Sequence, residues 1–375
     1  MKKRRLIKTW PGYFAAGYIV LVALVAVFGY FIVPDSTSDA NSQHVEISLK
    51  KPGFKCLFLE IPIVGSEQVS VFGKLLAGTP LSSKTIAIHS YYFKNDSIFI
   101  ELYTGMEPNN GIVQAFDCSI LTSLYSQQYP SRKFIAGDDM NSFIVTHMIS
   151  EKKFVLGTDR FGRDELSRII LGARVSITVG LISVLIALFI GVTLGAIAGY
   201  YGGFADRFLV WLFSVVWSLP TVLLVIAITF ALGKGFWQIF IAIGVTFWVD
   251  IARVVRGQVM SIKEREYIEA ARALGLKSRR IIFRHILPGL RGPVIVLAAS
   301  SFSSAILIEA GLSFLGIGVQ PPVPTWGGMV KEYYSHLVLD SAYLALVPGL
   351  AIVLAVMAFM ILGNELRDNL DVKNA

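Results

Sequence analysis

Six apolar stretches, each near or above the roughly 20 residues that cross a bilayer as helix, limit what this chain can fold into. They run about Tyr13–Val33, Val175–Ala198, Phe208–Leu232, Trp237–Val255, Val294–Ile317 and Tyr343–Leu362. In hydrocarbon every backbone N–H and C=O needs a partner inside the protein, so runs of this length read as helices. Composition agrees: 54% of the 375 residues are hydrophobic and 16% are charged, against about 25% charged in a soluble domain. The net charge of +8 would point to nucleic acid if the basic residues shared a soluble face. They cluster between apolar runs instead, where the positive-inside tendency accounts for them. The expected fold class is an all-α polytopic membrane protein of about six transmembrane helices, with the lipid bilayer as partner and no nucleic acid.

The chain divides accordingly. Residues 1–33 hold a basic start, MKKRRLIK, and the first span. The apolar run exceeds a signal peptide's usual h-region and no small-residue cleavage site follows, so it reads as an uncleaved anchor with a cytoplasmic N-terminus. Residues 34–165 form a hydrophilic insertion on the outer side. His44–Leu49, Lys55–Val64, Lys84–Phe93 and Ser97–Tyr103 read as strands, with a hairpin turn at Lys94–Asp96 and a short helix at Asn141–Ile149. Core packing is the simpler role for Tyr91, Tyr92 and Phe93. Cys56 and Cys118 lack metal-ligand spacing; a disulfide and two small buried hydrophobes both remain open.

Residues 166–364 carry five further spans, and 365–375 a mixed-charge cytoplasmic tail. Within Leu156–Gly180, Asp159 with Arg163 and Asp164 with Arg168 have i,i+4 spacing, favourable on an interfacial helix. Gly191, Gly195 and Gly199 form a GxxxGxxxG row that lets another helix approach closely. Gly199–Arg207 reads as a tight turn, Pro220 as a kink in the third span, Gly233–Lys234–Gly235 as a short outer turn, and Pro348 as an interruption of the last span. Asp250, Arg253 and Arg256 mark a cytoplasmic edge. Gly316–Val330 is too rich in Pro and Gly for a regular helix and reads as an outer loop, partly re-entrant. Glu309 is the ionisable residue of the fifth span, and intramembrane carboxylates are functional candidates by default. By polarity, Trp248, Ser303, Ser304 and Glu309 are candidates to line a pathway.

One polar stretch, Ser261–Pro288 within a loop at 256–292, interrupts the apolar pattern. Ser261 and Glu264 have capping-box spacing. Gly275 supplies a helix stop, Ser278 can cap a second short helix, and Pro288 ends it. On the first helix Tyr267, Ala270 or Ala271, and Leu274 share a shallow face able to enter a groove on another protein, with Glu269 beside it. A basic hairpin lying on anionic lipid is the duller alternative. A DNA-binding helix–turn–helix fits poorly, because both ends are tied to spans.

Glu269–Gly275 (EAARALG) followed by His285–Pro288 (HILP) resembles the EAA loop of binding-protein-dependent ABC importer permeases. That pattern is E-A-A, three residues, Gly, nine residues, then I-x-L-P, and His285 departs from it. LGTDRFGRDELSRIILGARVS and LSFLGIGVQPPVPTWG resemble the C-type subunit of the dipeptide/oligopeptide/nickel group. The resemblance covers about Leu156 to the C-terminus, plus the basic start and first span, and leaves out most of 34–156. It implies a type I ABC importer permease in a bacterial cytoplasmic membrane, with both termini cytoplasmic. It implies that Glu269, Ala270, Ala271, Gly275, Leu287 and Pro288 contact ATPase subunits. It also implies a B-type permease as heterodimer partner and an extracytoplasmic solute-binding protein. No cofactor is expected on this chain: it has no G-x-x-x-x-G-K-[ST], H-E-x-x-H or G-x-S-x-G, so ATP and Mg belong to partner subunits and no catalytic residue is assigned. The expected function is a permease subunit for dipeptides or oligopeptides, with nickel or another small solute as alternative. An ion-coupled carrier or channel using Glu309, and a receptor or scaffold built on the insertion, are readings from other classes.

Overall fold

The computed structural model describes residues 7–65, 69–105, 109, 111–130, 134, 139–233, 235–338 and 340–371. Most of the basic start, Lys234 and the last four residues lie outside them. The chain forms two compact units: Met1–Leu24 with Ala173–Ser335 and Ala345–Ala375, and Val25–Gly172 with His336–Leu344.

The second unit is built on a five-stranded antiparallel sheet. Helix α1 (Trp10–Ile32) enters it, followed by β1 (Phe54–Pro62), α2 (Val71–Ala77), β2 (Ser83–Lys94), β3 (Ser97–Leu102), β4 (Val113–Asp117), α3 (Cys118–Gln128), α4 (Met140–Met148) and β5 (Ile149–Phe154). The strand order is β4-β3-β2-β1-β5. β2 and β3 turn at Asn95, which takes φ +54°, with Lys94 opposite Ser97. The pleat sorts β1 by parity. Leu57, Leu59 and Ile61 join the cluster that α3 and α4 cover, while Cys56 and Phe58 join Ile47, Ala87 and Phe154 in another. Cys118 belongs to the first cluster and Cys56 to the second, and both thiols are free and buried. Burial pushes the Cys56 thiol up to about 11. Asp117 and Asp139 cap α3 and α4 by accepting from Ser119 and Asn141 N–H groups, as carboxylates at N-caps do. Tyr91 and Phe93 pack on the first cluster, whereas Tyr92 is exposed and stacks on Phe99.

Two expectations in this unit are corrected. His44–Leu49 is not a strand; it holds a 3-10 turn at Val45–Ile47. Its donors go elsewhere, His44 N–H to Phe161 O and Leu49 N–H to Asp159 O. Asp159 and Arg163 are not on a helix either. Asp159 folds the loop around itself, accepting from Phe161 N–H (2.8 Å), Arg163 N–H (2.9 Å) and Arg163 Nε (2.5 Å). Gly162 permits this at φ +72°, where a Cβ would overlap the His44 carbonyl. Asp164 does not pair with Arg168 through its side chain. Its Oδ2 caps the next helix by accepting from Ser167 N–H at 2.8 Å, because the first-turn N–H groups are the nearest unsatisfied donors.

The first unit holds the apolar helices: α5 (Glu165–Tyr201, which starts in the second unit), α6 (Gly203–Trp217), α7 (Thr221–Leu232), α8 (Phe236–Lys263), α9 (Glu266–Ala273), α10 (Ser278–Ile281), α11 (Arg291–Phe314), α12 (Trp326–Tyr333) and α13 (Tyr343–Asp371). Among the described residues five helical stretches are long and apolar enough to cross a membrane, or six if α6 and α7 form one span. The chain turns from α5 into α6 through Gly202 and Gly203, both with positive φ; this is tighter than the Gly199–Arg207 turn expected. Pro220 does more than kink the third span. α6 and α7 meet at 91°, since proline donates no bond and the residue before it avoids helical geometry. Ser218 Oγ and Leu219 N–H satisfy the freed carbonyls of Val215 and Val216.

α5 and α8 approach closely along one glycine face. A Cβ at Gly191, Gly195 or Gly199 would lie 2.7, 2.5 or 2.7 Å from the carbonyl oxygens of Trp248, Ala252 and Arg256. α12 begins inside the stretch read as irregular, at Trp326, because Thr325 Oγ1 accepts from Gly328 N–H at 2.9 Å and caps it. Pro348 does not interrupt α13; it sits in the second turn, where its ring removes one i→i−4 bond without ending the helix. α13 continues to Asp371, so the presumed tail is largely helix. Its Glu365 accepts from Lys8 and Thr9 N–H groups at 2.7 and 3.0 Å.

The glycine face gives a paired prediction. Gly195→Leu should lower thermal stability of the detergent-purified protein, by about 1–3 kcal/mol for overpacking. Gly257→Ala on α8, where a Cβ meets nothing within 4 Å, should be neutral or raise it by up to about 1 kcal/mol through helix propensity. Melting curves of both variants beside the parent check this.

Candidate functional site: the α8–α11 segment

The polar stretch is carried by helices that continue further than local signals suggest. α8 runs on through Ser261 to Lys263, and Glu264 follows as its C-terminal cap residue. The Ser261–Glu264 capping box is therefore not formed. Val259 and Ile262 are buried, and burying two such side chains stabilises by about 1.5–3 kcal/mol each, more than the ~1 kcal/mol of a cap. α9 starts at Glu266 after Arg265, whose side chain makes no cap bond.

α9 has two distinct faces. Ile268 and Ala271 are buried in the same cluster as Val259, Ile262, Ile281, Ile282 and Ile286. Tyr267, Ala270 and Leu274, at i, i+3 and i+7, form the exposed face, and Glu269 is also exposed. Of the two alanines, Ala270 thus faces out and Ala271 in. Gly275 ends the helix at φ +76°. Its N–H goes to Arg272 O (2.9 Å) and that of Leu276 to Ala271 O (3.2 Å), which is the Schellman arrangement.

The second half differs from expectation. Ser278 is the first residue of α10 and makes no side-chain cap bond; Lys277 holds the cap position. Pro288 does not end the helix. The chain passes from α10 through a π turn (Ile282–Ile286) and a 3-10 turn (Leu287–Leu290) directly into α11. Wide and tight turns absorb the proline's missing donor and ring within a continuous path. Leu287 and Pro288 are half-buried. A Cβ at the neighbouring Gly289 would lie 3.3 Å from Ile262 Cδ1 of α8.

Further contacts lock this segment to the long helices. The Arg272 guanidinium and Lys263 Nζ lie 5.5 and 5.8 Å from the ring of Tyr200, near the end of α5. Arg256 on α8 holds Asp206 on α6 in a bidentate pair of 2.5 and 2.7 Å. Arg253 lies 4.2 Å over the Trp217 ring, whose Nε1 donates to Asp250 at 3.1 Å. Tyr200, Asp206 and Trp217 escaped sequence reading: their partners lie far along the chain, 50 residues away for Asp206 and 33 for Trp217 and Asp250, and nothing in their own spacing marks them.

The four pathway candidates are not gathered. Trp248 is buried and packs edge-on against Phe213. Ser303 donates to the carbonyls of Ala299 and Val356, joining α11 to α13. Ser304 is exposed. Glu309 is fully buried and accepts from Ser313 Oγ at 2.8 Å and Ser176 Oγ at 3.3 Å. Ser176 Oγ in turn accepts from Trp326 N–H at 3.3 Å, so α5, α11 and α12 meet there. Ser313 sits at i+4 and was findable; Ser176 was not. Among the described residues no group of three or more His, Cys, Asp and Glu could hold a metal.

Residues 191–373 match the family "Binding-protein-dependent transport system inner membrane component". The chain is 43% identical over 218 residues to the glutathione transport system permease protein GsiD of Pectobacterium atrosepticum, covering 58% of this chain and 72% of that one. It is 45% identical over 218 residues to the dipeptide transport system permease protein DppC of Alkalihalophilus pseudofirmus, covering 58% and 71%. It is 42% identical over 223 residues to the di/tripeptide transport system permease protein DppC of Pseudomonas aeruginosa, covering 60% and 73%. Among solved structures, an inward-facing form of the MetNI methionine ABC transporter aligns at a TM-score of 0.45 with 17% identity, over 55% of this chain and 97% of that one. The chain belongs to the binding-protein-dependent transport system inner membrane components: it is a multi-pass ABC importer permease of the dipeptide/oligopeptide group.

Proposed function

We propose that this permease imports dipeptides or oligopeptides and receives its driving force through α9. The relatives' names supply the substrate class. The observation that carries the coupling role is the exposed Tyr267–Ala270–Leu274 face, with Glu269 beside it, on a helix whose other face is anchored by Ile268 and Ala271. A shallow face on a firmly held helix suits a groove on a partner. In this reading α9 lies on the cytoplasmic side, both termini are cytoplasmic, and ATPase subunits carrying ATP and Mg receive α9. A B-type permease completes the pore, and an extracytoplasmic binding protein delivers the peptide.

Force on α9 would pass by two routes. Ile268 and Ala271 press on the buried isoleucines of α10 and the π turn, which lead into α11. Arg272 pulls on Tyr200 and so on α5. Spans on both sides of the loop then shift together, as a two-state element biased by ATP at one end and by the loaded binding protein at the other.

Ala270→Arg or Glu269→Ala should leave expression and membrane insertion intact. Each should cut ATPase co-purification and dipeptide uptake by about tenfold or more, equivalent to about 1.4 kcal/mol or above. Full co-purification in both variants would remove α9 from the coupling role.

The buried Glu309 motivates the second reading, an ion-coupled carrier. Its bonds to Ser176 and Ser313 suit a structural post instead. Glu309→Gln, which keeps one acceptor oxygen and offers the second serine hydroxyl an N–H donor instead, should retain uptake within about twofold, while Glu309→Leu should destabilise the fold by about 1–3 kcal/mol through its orphaned partners. Uptake that survives ATP depletion yet collapses in Glu309→Gln would favour the carrier.

A further inference from the structure

The insertion holds a polar cavity of about 310 Å³. It is far larger than the ~10–15 Å³ that one water needs, and it falls in the range of small-ligand sites. Its walls come from the segment after α1, the strand β5, the β2 entry and the cap of α5. Most polar groups in the wall are already engaged. Asp35 accepts from Thr37 N–H (3.0 Å), Thr37 Oγ1 (2.7 Å) and Ser42 N–H (3.1 Å). His44 Nε2 lies 3.2 and 3.1 Å from the hydroxyls of Ser42 and Thr85. Lys152 is held by Glu60 at 2.9 Å.

Asp164 is the exception. It lines the cavity and is 4% exposed. Its Oδ2 is taken by Ser167, but Oδ1 has no hydrogen-bond partner. A buried carboxylate oxygen without a donor is costly, and a donor brought against the Asp164 carboxyl would relieve it. Burial also holds the Asp164 carboxyl above its ordinary value, with the negative charges of Asp35 and Asp159 adding to the effect. An arriving cation would reverse that. At the other extreme Lys153 lines the same cavity and is exposed. The wall thus carries the carboxyl groups of Asp35 and Asp164 and two ammonium groups, of which that of Lys152 is held by Glu60 and that of Lys153 is exposed.

We propose that this cavity binds a small zwitterion, an amino acid or dipeptide, with its primary ammonium on Asp164 and its carboxylate against Lys153. An ammonium supplies three donors, enough for Oδ1 and for hydroxyls nearby. The proposal does not depend on the coupling role given to α9.

The test uses the full-length chain in nanodiscs, titrated calorimetrically with alanylalanine, its N-acetyl form and its C-terminal amide. Alanylalanine should bind saturably. N-acetylation should weaken binding by about tenfold or more, and the amide and Lys153→Ala by several-fold. Asp164→Asn keeps an oxygen for the α5 cap while removing the charge, and should match the loss seen on N-acetylation. If Asp164→Asn melts early, the blocked dipeptides and Lys153→Ala on an intact fold decide the matter. No saturable binding below about 1 mM, or equal binding of the N-acetyl form, overturns the proposal.

Discussion

The close approach of α5 and α8 along Gly191, Gly195 and Gly199 is the constraint on which the permease unit depends. In lipid no hydrophobic force draws two apolar helices together, so packing and hydrogen bonds must do it. With no side chain at these three positions, α5 reaches the carbonyls of Trp248, Ala252 and Arg256 on α8. α8 is the most buried of the apolar helices. Setting its axis against α5 also sets where its polar end emerges, and the last glycine contact lies one residue from Tyr200. Lys263 and Arg272 then close over that ring. The seam in the membrane-spanning part and the position of α9 are thus two ends of one geometry.

Around α9, long-range burial overrides local signals. Ser261 and Glu264 have the residue types and spacing of a capping box, yet α8 continues through them because Val259 and Ile262 remain in the core. Ser278 and Pro288 likewise read as a start and a stop. Ile281, Ile282, Ile286 and Leu290 are all buried, and keeping them on one side demands a continuous helical path, irregular turns included. Gly275 behaves as its type suggests, since a left-handed residue and its two Schellman bonds are local features that burial does not oppose.

The insertion shows the same division. Alternation in β1 is legible as two-faced packing, and the β2–β3 hairpin is legible from Asn95. β4 and β5 were not, because short strands at sheet edges carry weak patterns, and β5 pairs with β1, about a hundred residues before it. Of the two pairs with helical spacing in Asp159–Arg168, Asp159 does hold Arg163, but in a loop, whereas Asp164 takes its donors from Ser167 at the start of α5. That reassignment places Asp164 at once on the α5 cap and on the wall of a cavity.

By itself the sequence determined that the chain carries five or six apolar spans and roughly where, the glycine seam, the Gly275 stop and the EAA and flanking motifs that mark the family. Each is carried by period or spacing within one segment, and local geometry enforces it. The tertiary structure alone decided which alanine of α9 faces outward, how Pro220 and Pro288 are accommodated, and that Glu309 meets Ser176. It also decided that Asp164 keeps an oxygen without a donor. Those outcomes depend on which distant groups arrive beside each residue, and a one-dimensional pattern does not encode the competition among them for burial and for hydrogen-bond partners.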